Sequence, residues 1–173
     1  LVIATATRIS TGSGLTLNAL LLGTLASLLH KQSGQKELAV SQTYLGRRSD
    51  QMHAVGSFSV AVPMDFHFAG KTSLRSTSQS VLRKTLQHLR ADALDDHFAS
   101  MRLAHGHAAD RDRLQPSVAY ELNDLRPIRR PVADARVPSP FPRVADIFVT
   151  VNRYADGYAM AVQVGECEYD VGG

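Results

Sequence analysis

The side chains best able to do chemistry in this chain are its seven histidines. The densest group is "AHGHAAD", where His105 and His107 stand one residue apart and Asp110 follows. Two imidazoles at that spacing, with a carboxylate close by, can ligate a transition metal. No further ligand lies in the neighbouring sequence, so a solvated loop is the plainer account. His53 and His67 flank "VGSFSVAVP"; His67 falls on the polar side of an alternating run and is expected at the surface, not as a base. His30 and His88 fall in helical patterns and are expected to be non-catalytic. The sequence has no Gly-x-Ser-x-Gly elbow, no phosphate-binding glycine loop and no dinucleotide fingerprint. "TGSG" ahead of a helix could face an anion, but a plain turn accounts for it better. Arg47 and Arg48 follow a strand directly, in "TYLGRRSD". They suit a cleft in which guanidinium groups pair with a carboxylate or a phosphate, or else they are ordinary loop charges.

The bulk composition narrows the class of protein. A chain of 173 residues, 44% hydrophobic and 20% charged, makes one globular domain or one lobe of something larger. Much of its formal charge of +3 sits in "LRPIRRPVADARVPSPFPR", spanning 125–143, where the prolines imply an exposed, extended loop from Arg126 to Arg143. No aromatic residues are interleaved with these arginines, which argues against nucleic acid. Arg126, Arg129 and Arg130 would instead be the contact residues if the chain were an independent domain binding an acidic partner. Cys167 is the only cysteine, so no intrachain disulfide forms, which fits a reducing, cytoplasmic setting. The longest apolar run, "LNALLLGTLASLLH", is too short and too interrupted to span a bilayer, and no membrane partner is expected.

The elements that would position these residues follow from periodicity. "LVIATATRIS" alternates and is β-branched, which predicts a strand; an opening in mid-strand implies a chain cut from a longer polypeptide. Thr16 is a candidate N-cap for a helix over 17–32, with Gly34 at the left-handed C-cap position. Leu17, Leu20, Leu21, Leu25, Leu28 and Leu29 make its broad apolar face. "ELAVSQTYLG" predicts a strand, and so does "VGSFSVAVPMDFHF". In the latter Val60, Val62, Met64, Phe66 and Phe68 alternate with Ser59, Ala61, Pro63, Asp65 and His67. Pro63 places that strand at an edge or a bulge. A second helix is expected over 73–96, with Leu74, Val81, Leu82, Leu86 and Leu89 as its apolar stripe. "PSVAYELND" is a further strand, and the last segment is a hairpin turning at Asp156-Gly157. No internal repeat is present. The pattern is α/β: a two-layer sandwich of a mixed β-sheet, about six strands, with two long helices.

The wording of these pieces resembles the C-terminal half of a condensation domain from nonribosomal peptide synthetases, within the chloramphenicol acetyltransferase-like acyltransferase superfamily. "LTLNALLLGTLASLLHKQSGQKELAVSQTYLGRRS" is similar to the family's long buried helix, Ser-Gly-Gln turn, strand and Gly-Arg ending. "VGSFSVAVP" stands where the family reads Ile/Val-Gly-x-Phe-Val-Asn-Thr, with Ser59 and Val60 departing from it. "RDRLQPSVAYELND" resembles the later Arg-Asp-x-Ser-Arg-x-Pro stretch. The His-Gln-Asp-x-Pro-Phe-Glu box is reduced to "DDHFASMRL". The signature His-His-x-x-x-Asp-Gly is nowhere in the chain; in "HGHAAD" the aspartate comes three residues after His107 and no glycine follows.

The resemblance implies one lobe of a V-shaped acyltransferase, covering residues 1–173, whose catalytic histidine belongs to an N-terminal lobe outside these residues. It implies Gly46, Arg47, Gly56, Phe58 and Ser59 as substrate-tunnel or structural residues, with no catalytic residue in this chain. Donor and acceptor would arrive on phosphopantetheine arms of carrier proteins, or on CoA, as thioesters. The 126–143 loop would sit about where a segment crosses to the other lobe. The alternative within the same fold is an inactive condensation-like module that recruits a carrier protein or partner enzyme.

Overall fold

The computed structural model describes residues 2–45, 59–70, 72–90, 118–126 and 146–164. The N-terminal segment expected as a strand is instead helix α1 (Val2–Ser13). Its hydroxyls explain how a Thr/Ser-rich stretch tolerates helical geometry. Ser10 and Thr11 donate to the Thr7 carbonyl at 2.8 and 3.0 Å, and Ser13 donates to that of Ser10 at 3.3 Å. Gly14, at φ 69°, ends the helix, so "TGSG" is the corner between two helices. The chain bends there through 111° into helix α2 (Leu17–Ser33). No single helix among the described residues is long and apolar enough to cross a membrane.

Both ends of α2 are where local chemistry put them. Thr16 adopts an extended backbone and its hydroxyl accepts from the Ala19 N–H at 3.1 Å. Gly34, at φ 70°, donates its N–H to the His30 carbonyl at 2.9 Å. The remaining elements are β1 (Glu37–Leu45), β2 (Ser59–His67), α3 (Leu74–Arg90), β3 (Val118–Asp124), β4 (Ile147–Tyr154) and β5 (Gly157–Val164). Residues 91–96, expected to continue the second helix, lie outside the described residues.

The described strands form one sheet in the order β2-β1-β3-β4-β5. They number five, against about six expected, because the first segment is helical. β1 pairs antiparallel with β2, β1, β3 and β4 run parallel, and β4 turns back on β5. Pro63 sits on β2, at the edge of this sheet, where its missing N–H is harmless. Gly157, at φ 147°, closes the β4–β5 turn.

The core lies between one sheet face and the helices α2 and α3. It contains Val40, Met64, Phe66, Phe68, Tyr120, Val149 and Val151 from the strands, Ala19, Leu22 and Ala26 from α2, and Val81 from α3. Most of the expected leucine face of α2 meets the core: Leu20 is buried, and Leu21, Leu25 and Leu29 pack against it. Leu28 is 51% exposed, whereas Ala19, Leu22, Gly23 and Ala26 are buried. A Cβ added to Gly23 would lie 2.5 Å from Ser78 Oγ and 3.0 Å from Ser78 Cα, so the two helices cross at close range. That contact turns Thr77, Ser78 and Val81 inward on α3 and leaves Leu74, Leu86 and Leu89 outside at 43, 43 and 55% exposure. The expected apolar stripe of α3 is therefore only partly its buried side.

Tyr120, 1% exposed, has a hydroxyl with no hydrogen-bond partner among the described residues. Burial raises its pKa above the usual phenol value near 10. Tyr120→Phe gives up no protein hydrogen bond and should unfold within about 0.5 kcal/mol of the parent chain, or later, at neutral pH. The unfolded phenol ionises near 10 while the folded one resists, so the contribution is complete below that pH and is lost as pH rises above it. Denaturant titrations from neutral to alkaline pH check this: the phenylalanine chain should lose less stability on the alkaline side. A loss of 2 kcal/mol or more at neutral pH, about what breaking a satisfied buried hydrogen bond entails, would contradict it.

Candidate functional site

Of the site residues expected from sequence, Ser59 alone lies among the described residues, at one end of the sheet. β1 ends at Leu45, which pairs directly with Ser59 at the start of β2. Gly46, Arg47, Gly56 and Phe58 lie between them and outside the described residues, as do His53, His105, His107, Asp110 and the loop over 127–143. Ser59 is placed by its backbone as the first residue of β2. Because β1, β3 and β4 are parallel, their carboxyl ends share this side of the sheet. Ligands of open sheets with parallel strands bind on that side.

Charged groups gather there on β3 and β4. The Arg126 guanidinium grips Asp124 with Nε at 2.8 and 3.0 Å from the two carboxylate oxygens and Nη2 at 2.6 Å. Arg153 Nη1 stands 4.0 Å from the same carboxylate and lies over the Tyr158 ring. The Arg126 side chain holds the Asp124 carboxyl below its usual range. All three side chains are solvated, so the cluster adds little to stability; it fixes the end of β3 against β4.

Beneath this end is a buried polar cluster that the sequence did not announce. The Tyr44 hydroxyl lies 3.1 Å from Gln42 Oε1, 3.4 Å from Thr85 Oγ1 and 4.0 Å from Met64 Sδ. His88 meets the Tyr44 ring edge-on at 6.2 Å. Burial raises the Tyr44 pKa, with the Thr85 contact opposing, so the phenol stays a neutral donor. Its role is to tie α3 to β1, not to accept a proton. Gln42 and Tyr44 read as ordinary strand residues, and only an i, i+2 pair of hydrogen-bonding side chains on one strand face hinted at the cluster.

The remaining described histidines are also structural. His67 is exposed beside Glu37 at 3.5 Å, near the groove of about 420 Å³ that Asp65 and Lys84 help to line. His30 stacks on Phe68 with centroids 4.3 Å apart, and its Nδ1 lies 2.6 Å from the Gln35 carbonyl, which makes that nitrogen the donor. Among the described residues no three His, Cys, Asp or Glu side chains come together as a metal site. What the described geometry offers is a sheet end tied from below to α3.

No protein-family model matches the sequence, and no curated protein does either. Solved structures do match. The condensation domain of the monacolin K polyketide synthase is 15% identical at a TM-score of 0.69, over 95% of this chain and 39% of that one. The first condensation domain of the calcium-dependent antibiotic synthetase, in complex with a substrate analogue, is 18% identical at a TM-score of 0.62, over 93% of this chain and 36% of that one. This chain has the fold of a condensation-domain lobe. The epimerization domain of tyrocidine synthetase B shares it at 12% identity and a TM-score of 0.66, over 94% of this chain and 40% of that one. The lobe thus spans somewhat more than a third of each chain it matches. Its mixed sheet with helices agrees with the fold expected from sequence, the helical N-terminus apart.

Proposed function

We propose that this chain is the C-terminal lobe of a condensation-type acyltransferase of natural-product biosynthesis. The observation that carries the reading is the fold match over nearly the whole chain, together with the Gly-Arg and Gly-x-Phe wording in the sequence. In the complete enzyme an acceptor amine or hydroxyl attacks the thioester carbonyl of the donor. The new C–N or C–O bond forms, the C–S bond breaks, and the acceptor's proton ends on the released thiol. The thioesters are carried on phosphopantetheine arms of carrier proteins or on CoA. The base is a histidine of a His-His-x-x-x-Asp-Gly motif on the other lobe, and much of the acceleration comes from holding donor and acceptor together. This lobe contributes tunnel wall, to which the family resemblance assigns Gly46, Arg47, Gly56, Phe58 and Ser59, and surface for its partners. With one cysteine, it suits a reducing cytoplasm.

A second reading keeps the fold and removes the chemistry. Ser59 and Val60 in the Gly-x-Phe stretch, and the "DDHFASMRL" remnant, depart from the family pattern, as a recruiting module with no catalytic duty would tolerate. One experiment separates the two. The chain is purified with whatever co-purifies, the polypeptides are identified by intact mass, and acyl transfer from a pantetheine thioester to amine and alcohol acceptors is assayed. Transfer only when a His-His-x-x-x-Asp-Gly polypeptide is present supports the enzyme. A partner whose motif is broken, with no transfer, supports the recruiter. Transfer by the pure chain alone would overturn both.

A further inference from the structure

Asn123 on β3 and Asn152 on β4 are direct partners in the parallel ladder, and Asn123 Nδ2 donates to Asn152 Oδ1 at 3.1 Å. Asparagine is a poor strand former, so two of them at partnered positions weaken the pairing they sit in. Both are half-buried near the carboxyl ends of parallel strands, the side on which such sheets take ligands. Tyr120, Val149 and Val151 point into the core, and strand alternation turns the asparagines to the other face. Counting on from Gln42↔Tyr120, Leu45 and its partner Ser59 lie level with the pair across the sheet. The mutual hydrogen bond uses one donor and one acceptor. Whichever amide donates, a carbonyl oxygen on one residue and an NH2 group on the other keep no partner among the described residues.

We propose that Asn123 and Asn152 hold the pantetheine arm of the thioester substrate by its amides. An arm N–H donates to the spare asparagine carbonyl, and an arm C=O accepts from the spare NH2 group. That the ligand is pantetheine rests on the function proposed above; that the pair takes an amide rests on its own donors and acceptors. The strands are about 4.8 Å apart, and the arm's amides flank a short link of two methylenes, so an arm laid across β3 and β4 meets both groups. Charge on this face disfavours an anion. Glu121 shares the face two residues before Asn123, whereas the Arg153 guanidinium turns to the other side, against Asp124 and Tyr158. The pair reads the arm and not what carries it, so CoA and a carrier protein satisfy it equally.

The test is a nuclear magnetic resonance titration of the isotope-labelled chain, with any polypeptide that co-purifies. The side-chain NH2 signals of Asn123 and Asn152, assigned through the backbone, need no variant. Free pantetheine should move both signals and CoA should move them alike. A polyether thiol of equal length, which lacks N–H donors, should leave them in place. Asn123→Val with Asn152→Val should weaken pantetheine binding about tenfold, the loss expected for two neutral hydrogen bonds, in a chain that still folds because valine suits strands. Signals that stay put at saturating pantetheine, that shift equally with the polyether thiol, or that shift with the nucleotide portion of CoA alone would each overturn the site. Pantetheine binding at the pair without acyl transfer to any acceptor would leave the site standing and remove the acyltransferase reading. Transfer with both signals unmoved would do the reverse.

Discussion

Leu22→Ala lowers the free energy of unfolding by about 2–5 kcal/mol, the range for emptying a fully buried leucine site. Leu22 is completely buried, packed in the cluster that joins α2 to Val40, Met64 and Tyr120. Leu28, on the same helix, is 51% exposed, so Leu28→Ala should stay within about 0.5 kcal/mol. The pair is informative because composition, helix propensity and side-chain chemistry are the same in both. In a domain of this size the Leu22 change lowers the melting temperature by roughly 2–4 °C per kcal/mol. Calorimetry or denaturant titration of the two variants decides the matter, and equal effects would mean that α2 is rotated from the orientation described.

Gly23→Ala tests the helix crossing. In an isolated helix the change is favourable by about 1 kcal/mol, because glycine loses more backbone freedom on folding. Here the new methyl meets Ser78 Oγ at 2.5 Å and the Ser78 backbone at 3.0 Å, so α2 and α3 must separate. Overpacking of this kind costs about 1–3 kcal/mol, which offsets the propensity gain and leaves a net loss of up to about 2 kcal/mol. Ser78→Ala removes the nearer clash and a buried hydroxyl with no partner, and leaves the backbone contact. The double variant should recover part of the loss, a coupling that a thermodynamic cycle reads directly. A Gly23→Ala chain more stable than its parent would show the crossing to be looser than it is drawn.

These two positions also show how far the sequence could be read. Features set within one turn of chain were legible: the Thr16 and Gly34 caps, the alternation of Val62, Met64, Phe66 and Phe68, the edge position of Pro63, and the turn at Gly157. Each depends on local sterics or hydrogen bonding. The deepest side of α2 was not legible, because leucines surround that helix and Ala19, Leu22, Gly23 and Ala26 are buried while Leu28 is left outside, a choice made where the small residues meet α3. The first segment was misjudged for a related reason. β-branched alternation over ten residues fits a strand, and only packing against α2 with hydroxyl bonds one turn back makes the helix win. Around the candidate site, the Gly-Arg and Gly-x-Phe wording fixed a family resemblance and a sheet end. It said nothing of Tyr44 and Thr85, which meet across 41 positions of sequence.

The sheet has a narrow waist. β1 and β3 share only Ser41↔Ala119 and Gln42↔Tyr120 as registered partners, whereas β1–β2 and β4–β5 zip along their whole length. The two registered pairs of the waist join residues 78 positions apart, so closing this seam costs more loop entropy than closing the β1–β2 or β4–β5 pairing. Once made, the short seam is shielded by the Tyr120 ring from one side of the sheet and Ala119 from the other. The strand order thus concentrates the sheet's long-range closure in its shortest pairing.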